Sequence, residues 1–262
     1  MAYRKPFLTI LVLFTGLCPT GVRAEEHGWM LKQNTHNLGP TTTYISNNGI
    51  KIVFEANNFS FSCYGPKWDQ ILYNEKQKLI EKKPFSYWST RGIKTPLSLN
   101  DNSSLRRLPQ TKLSDALYAK HPSIVYLITQ TDARGNPKYL SNHDFARYIV
   151  SKEIQTHPYV TAFAQAVFDA PRSKNFPLKL SKFCRDNSYG FGMKYNQEKN
   201  MINLLSTSKI EKIKNPDVKP TLPLAKYHDT DQSKIIVNQK KFDEFFRYMY
   251  DKDNQRERKT NH

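Results

Sequence analysis

The strongest constraint on the fold is a series of short alternating runs between residues 29 and 81. Phe59–Tyr64 alternates strictly, with a phenylalanine or Cys63 at each odd position and Ser or Tyr at each even one. A period of two is typical of a strand. Asn47-Asn48-Gly49 separates two further runs, and an Asn-Gly pair favours a tight hairpin. Strands so close together along the chain predict an antiparallel meander.

Helical patterns follow the meander. In Tyr159–Asp169 apolar side chains recur at the i, i+3, i+4, i+7 and i+8 positions counted from Val160, which predicts an amphipathic helix. Lys240–Asp251 carries a similar stripe that is rich in phenylalanine. A further helix is expected after a cap at Asn142. Its apolar stripe would consist of Phe145, Tyr148 and Ile149.

The remaining segments contain strands and loops. Pro84–Ser123 is rich in proline and is expected to be mostly loop, with one short helix at Leu113–Ala119. Asn215–Asp231 has three prolines and is also expected to be a loop. Further strands are expected at Ile124–Thr129, Leu178–Cys184, Tyr189–Tyr195, Met201–Ser206 and Lys209–Lys214. This order of elements predicts the α+β class, with helices gathered against one antiparallel sheet.

The first 24 residues have the layout of a secretory signal. A basic start precedes the apolar run Phe7–Leu17, and Val22-Arg23-Ala24 supplies small residues for a signal peptidase. The run is shorter than the about 20 residues that span a bilayer, which disfavours a membrane anchor. Lipidation of Cys18 is a further alternative. We expect a signal peptide at 1–24, a single α+β domain at 25–252, a polar tail at 253–262, and no transmembrane segment in the mature chain.

Three cysteines are present, and only Cys63 and Cys184 remain once the signal is removed. An exported protein matures in an oxidising compartment, where an isolated pair of cysteines tends to join. We therefore expect a disulfide between Cys63 and Cys184, which would stabilise the fold by about 4–5 kcal/mol on chain-entropy grounds. The alternative is two buried free thiols. The sequence has no CxxC pair and its histidines are scattered, so we expect no zinc site.

The chain is strongly basic, with 40 Lys+Arg against 23 Asp+Glu and a formal charge of +17. Outside the cytoplasm this charge favours anionic lipid head groups, lipopolysaccharide or acidic glycans over nucleic acid. The sequence has no RNP-like or helix-turn-helix signature, so we expect no nucleic-acid partner. A role in solubility alone is the alternative explanation of the charge.

The sequence lacks the motifs of common enzyme classes, with no GxSxG, HExxH, P-loop or dinucleotide-binding fingerprint. The densest polar group is Asn142-His143-Asp144 with His157 downstream, and a helix cap with surface residues is the simpler interpretation. We interpret the other candidates as loop polar residues or helix residues without a partner: His228, Asp229, Asp231, Glu153 and Asp169. We expect no catalytic residue, no metal ion and no cofactor.

The N-terminal half also contains a succession of short segments with a recognisable pattern of strands and turns. These segments are Trp29–Gln33, Leu38-Gly39, Thr43–Lys51, Pro66–Asn74 and Lys78–Glu81. Over about residues 29–81 the succession resembles exported lipoprotein-carrier-like (Lol-type) proteins. Proteins of that class have an open, strongly curved antiparallel sheet, with helices over its mouth, and they carry acyl chains between membranes in the cavity. The resemblance implies a half-open barrel here, and it assigns no ligand-binding residue.

These observations lead to one functional hypothesis and one alternative. The hypothesis is that the protein is exported, periplasmic or extracellular, and non-enzymatic, and that it holds an apolar ligand, an acyl chain or a partner segment in its curved sheet. The helices at Tyr159–Asp169 and Lys240–Asp251 would cover the sheet. The alternative is a structural or interaction protein of the cell envelope that binds anionic surfaces through its basic face. An enzyme is a third class, which no constellation of residues supports.

Overall fold

Twelve strands of the described residues form one sheet. The computed structural model describes residues 27–93, 108–129, 146–183 and 201–236. The strands are β1 His27–Thr35, β2 Gly39–Ser46, β3 Gly49–Phe54, β4 Phe59–Tyr64, β5 Gln70–Asn74, β6 Leu79–Lys83, β7 Gln110–Tyr118, β8 His121–Ile128, β9 Ala146–Ser151, β10 Pro177–Phe183, β11 Met201–Lys214 and β12 His228–Asp229. The helices of these residues are α1 Phe85–Arg91, α2 Pro158–Val167 and α3 Gln232–Ile236, with a 3-10 turn at Leu224–Lys226.

Two antiparallel meanders make up the sheet, whose spatial order is β12-β6-β5-β4-β3-β2-β1-β11-β10-β9-β8-β7. One meander runs from β1 to β6 and the other from β7 to β11, each pairing strands in chain order. An antiparallel pair of β1 and β11 joins them, with His27 opposite Lys214 and Thr35 opposite Leu205. The short β12 pairs with β6 in parallel. The meander predicted between residues 29 and 81 is confirmed.

The sheet is curved and unclosed, in the manner of a half-open barrel. The curvature is clearest at Tyr118 in β7, whose hydroxyl accepts a hydrogen bond from the Thr207 N–H in β11 at 3.1 Å. Three strands separate β7 from β11, so in a flat sheet the two would lie roughly 19 Å apart, at about 4.8 Å per step. The β7–β8 hairpin therefore folds back over the sheet. The ring of His121 in β8 likewise meets Trp29 in β1, with centroids 6.1 Å apart.

Helix α2 fills the concave side of this sheet. It packs against β3, β4 and β10, which lie on opposite sides of the β1–β11 pair, so the sheet wraps around the helix. The ring of Phe163 meets the rings of Phe61 and Trp88 edge-on, with centroids 6.4 and 5.1 Å apart. The fully buried side chains of its inner face are Val160, Phe163, Ala164 and Val167. The helix predicted at Tyr159–Asp169 and its apolar stripe are confirmed.

A smaller core covers the opposite face of β5 and β6. It consists of Ile71, Tyr73, Ile80 and Tyr227, and the last of these follows the 3-10 turn. The Ser62 hydroxyl points to this second core, where it donates a hydrogen bond to the Tyr73 hydroxyl at 3.4 Å. Strand β4 is thus buried on both faces, although its alternating sequence predicts one buried face.

Leu113–Ala119, which the sequence predicts as a short helix, belongs instead to strand β7. Leu113, Ala116 and Leu117 have helical spacing, but β7 is an edge of the sheet and Leu117 is 75% exposed. An edge strand with both faces in water needs no period in its apolar residues. In the described part of Pro84–Ser123 the expectation of mostly loop is wrong as well, because α1, β7 and the first residues of β8 lie there. Residues 94–107 lie outside the described residues.

The helix expected after Asn142 is wrong wherever the structure describes it. Ala146–Ser151 is strand β9, which pairs with β8 and β10. Tyr148 and Val150 are fully buried while Arg147 is exposed, which is strand alternation. The spacing of Phe145, Tyr148 and Ile149 matched a helix, whereas their aromatic and β-branched character favours a strand. Met201–Ser206 and Lys209–Lys214 form one strand, β11.

Several predictions concern segments outside the described residues. These are the signal at 1–24, Asn142-His143-Asp144, Cys184, Tyr189–Tyr195, Lys240–Asp251 and the tail at 253–262. The domain boundaries at 25–252 therefore stay predictions. Within the described ranges, none of the helices has both the length and the apolar character needed to cross a membrane.

Candidate functional site

An open groove of about 820 Å³ lies between α1 and α2. Both aromatic and small side chains line it. The aromatic residues are Phe85, Trp88 and Tyr159, and the small ones are Ala162, Ala166 and Ala170. The volume falls within the roughly 300–1,000 Å³ of typical small-molecule sites, which also combine apolar walls with a few polar groups.

Helix α1 is held in place by Trp88. This side chain is buried, and its indole N–H donates a hydrogen bond of 2.7 Å to the backbone carbonyl of Trp68. The helix begins after Pro84 and ends at Arg91, and the N–H of the following Gly92 donates a hydrogen bond to the Trp88 carbonyl at 2.9 Å. Gly92 has φ +73°, a conformation that favours glycine. Trp88 therefore lines the groove from a helix that its indole hydrogen bond ties to Trp68.

Helix α2 begins at a cap formed by His157. The Nδ1 atom of this histidine accepts a hydrogen bond from the Tyr159 N–H at 3.3 Å, and Pro158 at the first helical position suits a helix start. The Tyr159 ring packs on the Phe85 ring, with centroids 4.5 Å apart, and remains 38% exposed. Phe85 and Tyr159 thus join the two helices into one aromatic wall.

The loop after α2 closes one end of the groove. The buried amide of Gln165 donates to the carbonyl of Ser173 at 2.8 Å, and Gln110 of β7 donates to the carbonyl of Arg172 at 2.8 Å. These bonds fix the backbone that carries Arg172 and leave its side chain exposed to the groove.

The groove is positively charged. Arg91 and Arg172 line it, and no aspartate, glutamate, histidine or cysteine is among its described lining residues. Ser89, Thr90 and Ser173 supply hydroxyls, but none of the lining side chains could act as their general base. The described arrangement can hold apolar surface and an anion, and it offers no nucleophile–base pair.

Among the described residues, the polar side chains singled out in the sequence lie at several separate places, and only Asp229 and Asp231 line one pocket together. His157 caps α2, and His228 and Asp229 form β12, where they pair with Leu79 and Ile80. The Glu153 carboxylate lies 2.8 Å from Nδ1 of His121. Asp169 is buried after the end of α2 with φ +50°, and the carbonyl of Asp231 accepts the Lys234 N–H. Across the described residues, no three His, Cys, Asp or Glu side chains are grouped as metal ligands.

Cys63 is a fully buried thiol among the described residues. Its Sγ donates a hydrogen bond of 3.4 Å to the Trp68 carbonyl, the same carbonyl that anchors Trp88. Burial raises the pKa of the Cys63 thiol, and the neighbouring Asp69 carboxylate raises it further. Because Cys184 lies outside the described residues, the Cys63–Cys184 disulfide stays a prediction.

None of the described residues that line the groove was predicted from the sequence as a binding residue. Trp88 and Arg91 lie in the segment Pro84–Ser123, which we interpreted as mostly loop, and Arg172 follows the helix predicted at Tyr159–Asp169. One signal was present: Phe85, Trp88 and Ser89 have the spacing of a helical face directly after Pro84, and proline favours a helix start. The packing of α1 against α2 cannot be predicted from local sequence, because more than 60 residues separate the two helices.

Comparisons with known proteins show remote similarity in structure only. No protein family matches the chain, and no curated protein matches it. Similar solved structures include MucB in complex with MucA(peri), with 6% identity, 82% of this chain and 55% of that chain covered, and a TM-score of 0.29. The MucA/MucB complex of Pseudomonas aeruginosa gives 7% identity, coverage of 83% and 57%, and a TM-score of 0.29.

A third similar structure is a putative outer membrane lipoprotein-sorting protein domain from Vibrio parahaemolyticus. It has 17% identity, coverage of 72% of this chain and 83% of that chain, and a TM-score of 0.20. The chain spans little more than half the length of the MucB chains. Similarities of this size carry no argument about ligand or partner, so the function has to be argued from the groove.

Proposed function

We propose that the protein is an exported, non-enzymatic binding protein that holds an apolar ligand, such as an acyl chain, in the groove between α1 and α2. The observation that carries the proposal is the open groove lined by the partly exposed rings of Phe85 and Tyr159, with the buried Trp88 ring also in its lining. Apolar surface that stays open to water is costly, and a bound hydrocarbon removes that cost. The leader-like residues 1–24 support export.

In this proposal the ligand binds in the groove between α1 and α2 and not on the concave face of the sheet. In the part of the chain that the structure describes, α2 and the rings of Phe54, Phe59 and Phe61 pack that face. A ligand there would have to displace buried core side chains. The groove lies beside this core and is already open, so a ligand can enter without disrupting the packing.

The test is to extract the purified protein with organic solvent and to identify bound lipid by mass spectrometry. Ala162→Trp places a bulky ring into the groove from an exposed position on α2, so this variant should fold and lose the ligand. Ala225→Trp is the matched control, because Ala225 is exposed and lies outside the groove lining. Equal lipid content in both variants would contradict the site, and lipid-free wild-type protein that also fails to bind added acyl probes would contradict the function.

The alternative function, binding to an anionic envelope surface, rests on a second observation. Lys209, Lys212 and Lys219 all lie exposed on β11 or directly after it. Association through such lysines would weaken steeply as salt screens the charges. Sedimentation with anionic vesicles should then be lost at high salt and in the triple Lys→Gln variant, and Ala162→Trp should leave it unchanged.

A further inference from the structure

We propose that Arg91 and Arg172 bind the head group of the ligand, so that the groove takes a single-chain amphiphile with one carboxylate or phosphate. This inference rests on the proposed function, because it assumes that hydrocarbon occupies the aromatic wall. It names the chemical class of the ligand and the two residues that select it.

The first argument is the charge of the groove. Its lining includes two arginines, Arg91 and Arg172, and no aspartate or glutamate among the described residues. Neither arginine forms an ion pair within the part of the chain that the structure describes. A guanidinium presents two parallel N–H donors that match the geometry of a carboxylate or a phosphate. Within the described residues, the groove is therefore lined by two arginines that have no carboxylate partner.

The second argument is that both arginines are carried by fixed backbone. Arg91 is the last residue of α1, and its guanidinium lies 5.1 Å from the centre of the Tyr87 ring. The carbonyl of Arg172 is held by Gln110, and the loop around it is held by the buried Gln165. Two charges that arise from separate elements are thus placed at one groove, which is an arrangement suited to a particular head group.

The third argument concerns the cost of covering these charges. A neutral hydrocarbon that filled the groove would remove water from the two guanidinium groups and give them no partner. An anionic head group replaces the lost water with charge-assisted hydrogen bonds. The combination of an aromatic wall with unpaired arginines therefore favours an amphiphile over a fully apolar molecule.

The experiment compares three probes that share one chain: dodecanoate, dodecyl phosphate and dodecanol. The two anions are used below their critical micelle concentrations and the alcohol below its solubility limit. Binding is followed by calorimetry or by the intrinsic tryptophan fluorescence of the full chain, to which Trp29, Trp68 and Trp88 all contribute. Wild-type protein should bind at least one of the two anions about tenfold or more tightly than the alcohol. Arg91→Gln with Arg172→Gln should reduce anion affinity to that of the alcohol and leave alcohol affinity unchanged. Each single variant should lose part of the preference.

Lys76→Gln with Lys226→Gln is the control, because it removes two positive charges at exposed positions outside the groove. This variant should keep the anion preference. Equal wild-type affinity for all three probes would overturn the inference and leave the apolar groove intact. A preference that survives loss of both arginines would also overturn it. Failure of all three probes to bind would overturn the proposed function together with the inference, and the better of the two anions identifies the head group.

Discussion

The imidazole of His157 lies flat on the indole of Trp68, with ring centroids 4.4 Å apart and planes inclined by 18°. His157 also caps α2 through Nδ1, while the carbonyl of Trp68 accepts the indole N–H of Trp88 in α1. Trp68 thus contacts both helices of the groove, one through its ring and the other through its backbone. This residue, between β4 and β5, is therefore one of the contacts that position the two helices, together with the Phe85–Tyr159 and Trp88–Phe163 ring pairs.

His157 should contribute to stability in two separable ways. His157→Ala removes both the cap and the ring contact, so we expect it to lower the free energy of unfolding by about 1–2 kcal/mol. His157→Asn keeps a side-chain acceptor for the helix start and removes only the ring contact, so its loss should be smaller. Urea midpoints give the comparison. Identical losses in the two variants would show that the cap contributes nothing.

Phe163 should be essential to the core on the concave side of the sheet. Its ring is fully buried against Phe61 and Trp88, so Phe163→Ala should cost about 3–5 kcal/mol. Leu117→Ala is the control, because Leu117 is 75% exposed on edge strand β7 and should change stability by less than about 0.5 kcal/mol. Similar losses in both variants, measured by chemical denaturation, would contradict the described core.

The sequence predicts best where local pattern and burial agree. The meander and α2 were predictable because their apolar residues form one stripe against the core, as Val160, Phe163 and Ala164 do. The helix predicted around Leu113 and Leu117 is wrong because the apolar residues of an exposed edge strand need not follow a burial pattern. Tyr148 and Ile149 fit both a helix and a strand, and pairing with β8 and β10 decided between them. Arg91 and Arg172 could not be connected from the sequence, since the groove exists only after α1 and α2 pack.

Stability should fall in alkaline solution. Burial raises the pKa of Tyr73 and Tyr148 above the usual value of a phenol, which is about 10 in an unfolded chain. Below that pH both states keep these protons, so the tyrosines add no pH dependence. Above it the unfolded chain releases protons that the folded chain retains, so the free energy of unfolding decreases as pH rises. Denaturation between neutral and alkaline pH measures the slope.

Tyr148→Phe separates this contribution from other alkaline effects. The variant should change stability at pH 7 by no more than about 1.5 kcal/mol and should reduce the alkaline slope. Leu117→Ala supplies the control, since it removes no titratable group and should leave the slope as it is. If the two variants keep the same slope as wild type, Tyr148 does not cause the alkaline loss.

The pairing of Cys63 with Cys184 is testable by peptide mapping. Protein purified without reductant and digested without reduction should yield one cross-linked peptide that contains both cysteines. The Cα atoms of a disulfide lie about 4.4–6.8 Å apart, so this result would also place Cys184 next to β4. Two thiols that react with an alkylating agent after unfolding would contradict the bridge. Before unfolding, the buried Cys63 thiol should be unreactive in either case.

If the chain is exported, cleavage of the signal peptide should give the mature protein a defined N-terminus. N-terminal sequencing of the secreted chain should begin at Glu25 or within a few residues of it, because small residues precede that position. Ala24→Phe places a bulky residue at the cleavage position and should block processing there. An unprocessed wild-type chain recovered from the cytoplasm would show that residues 1–24 are not a secretory signal.

The pair of β1 and β11 makes the order of folding depend on the order in which the chain emerges. Strand β1 lies inside the sheet between β2, which follows it directly, and β11, which is made after most of the chain. Hairpins of β1 to β6 can close locally, whereas β1 must wait for β11 across a long stretch of chain. Until then β1 is an open edge that can pair with another strand. A chain that leaves the ribosome or a translocation channel with its N-terminus first therefore exposes an inner strand until late in its synthesis, and a chaperone that holds β1 during this interval would prevent self-association.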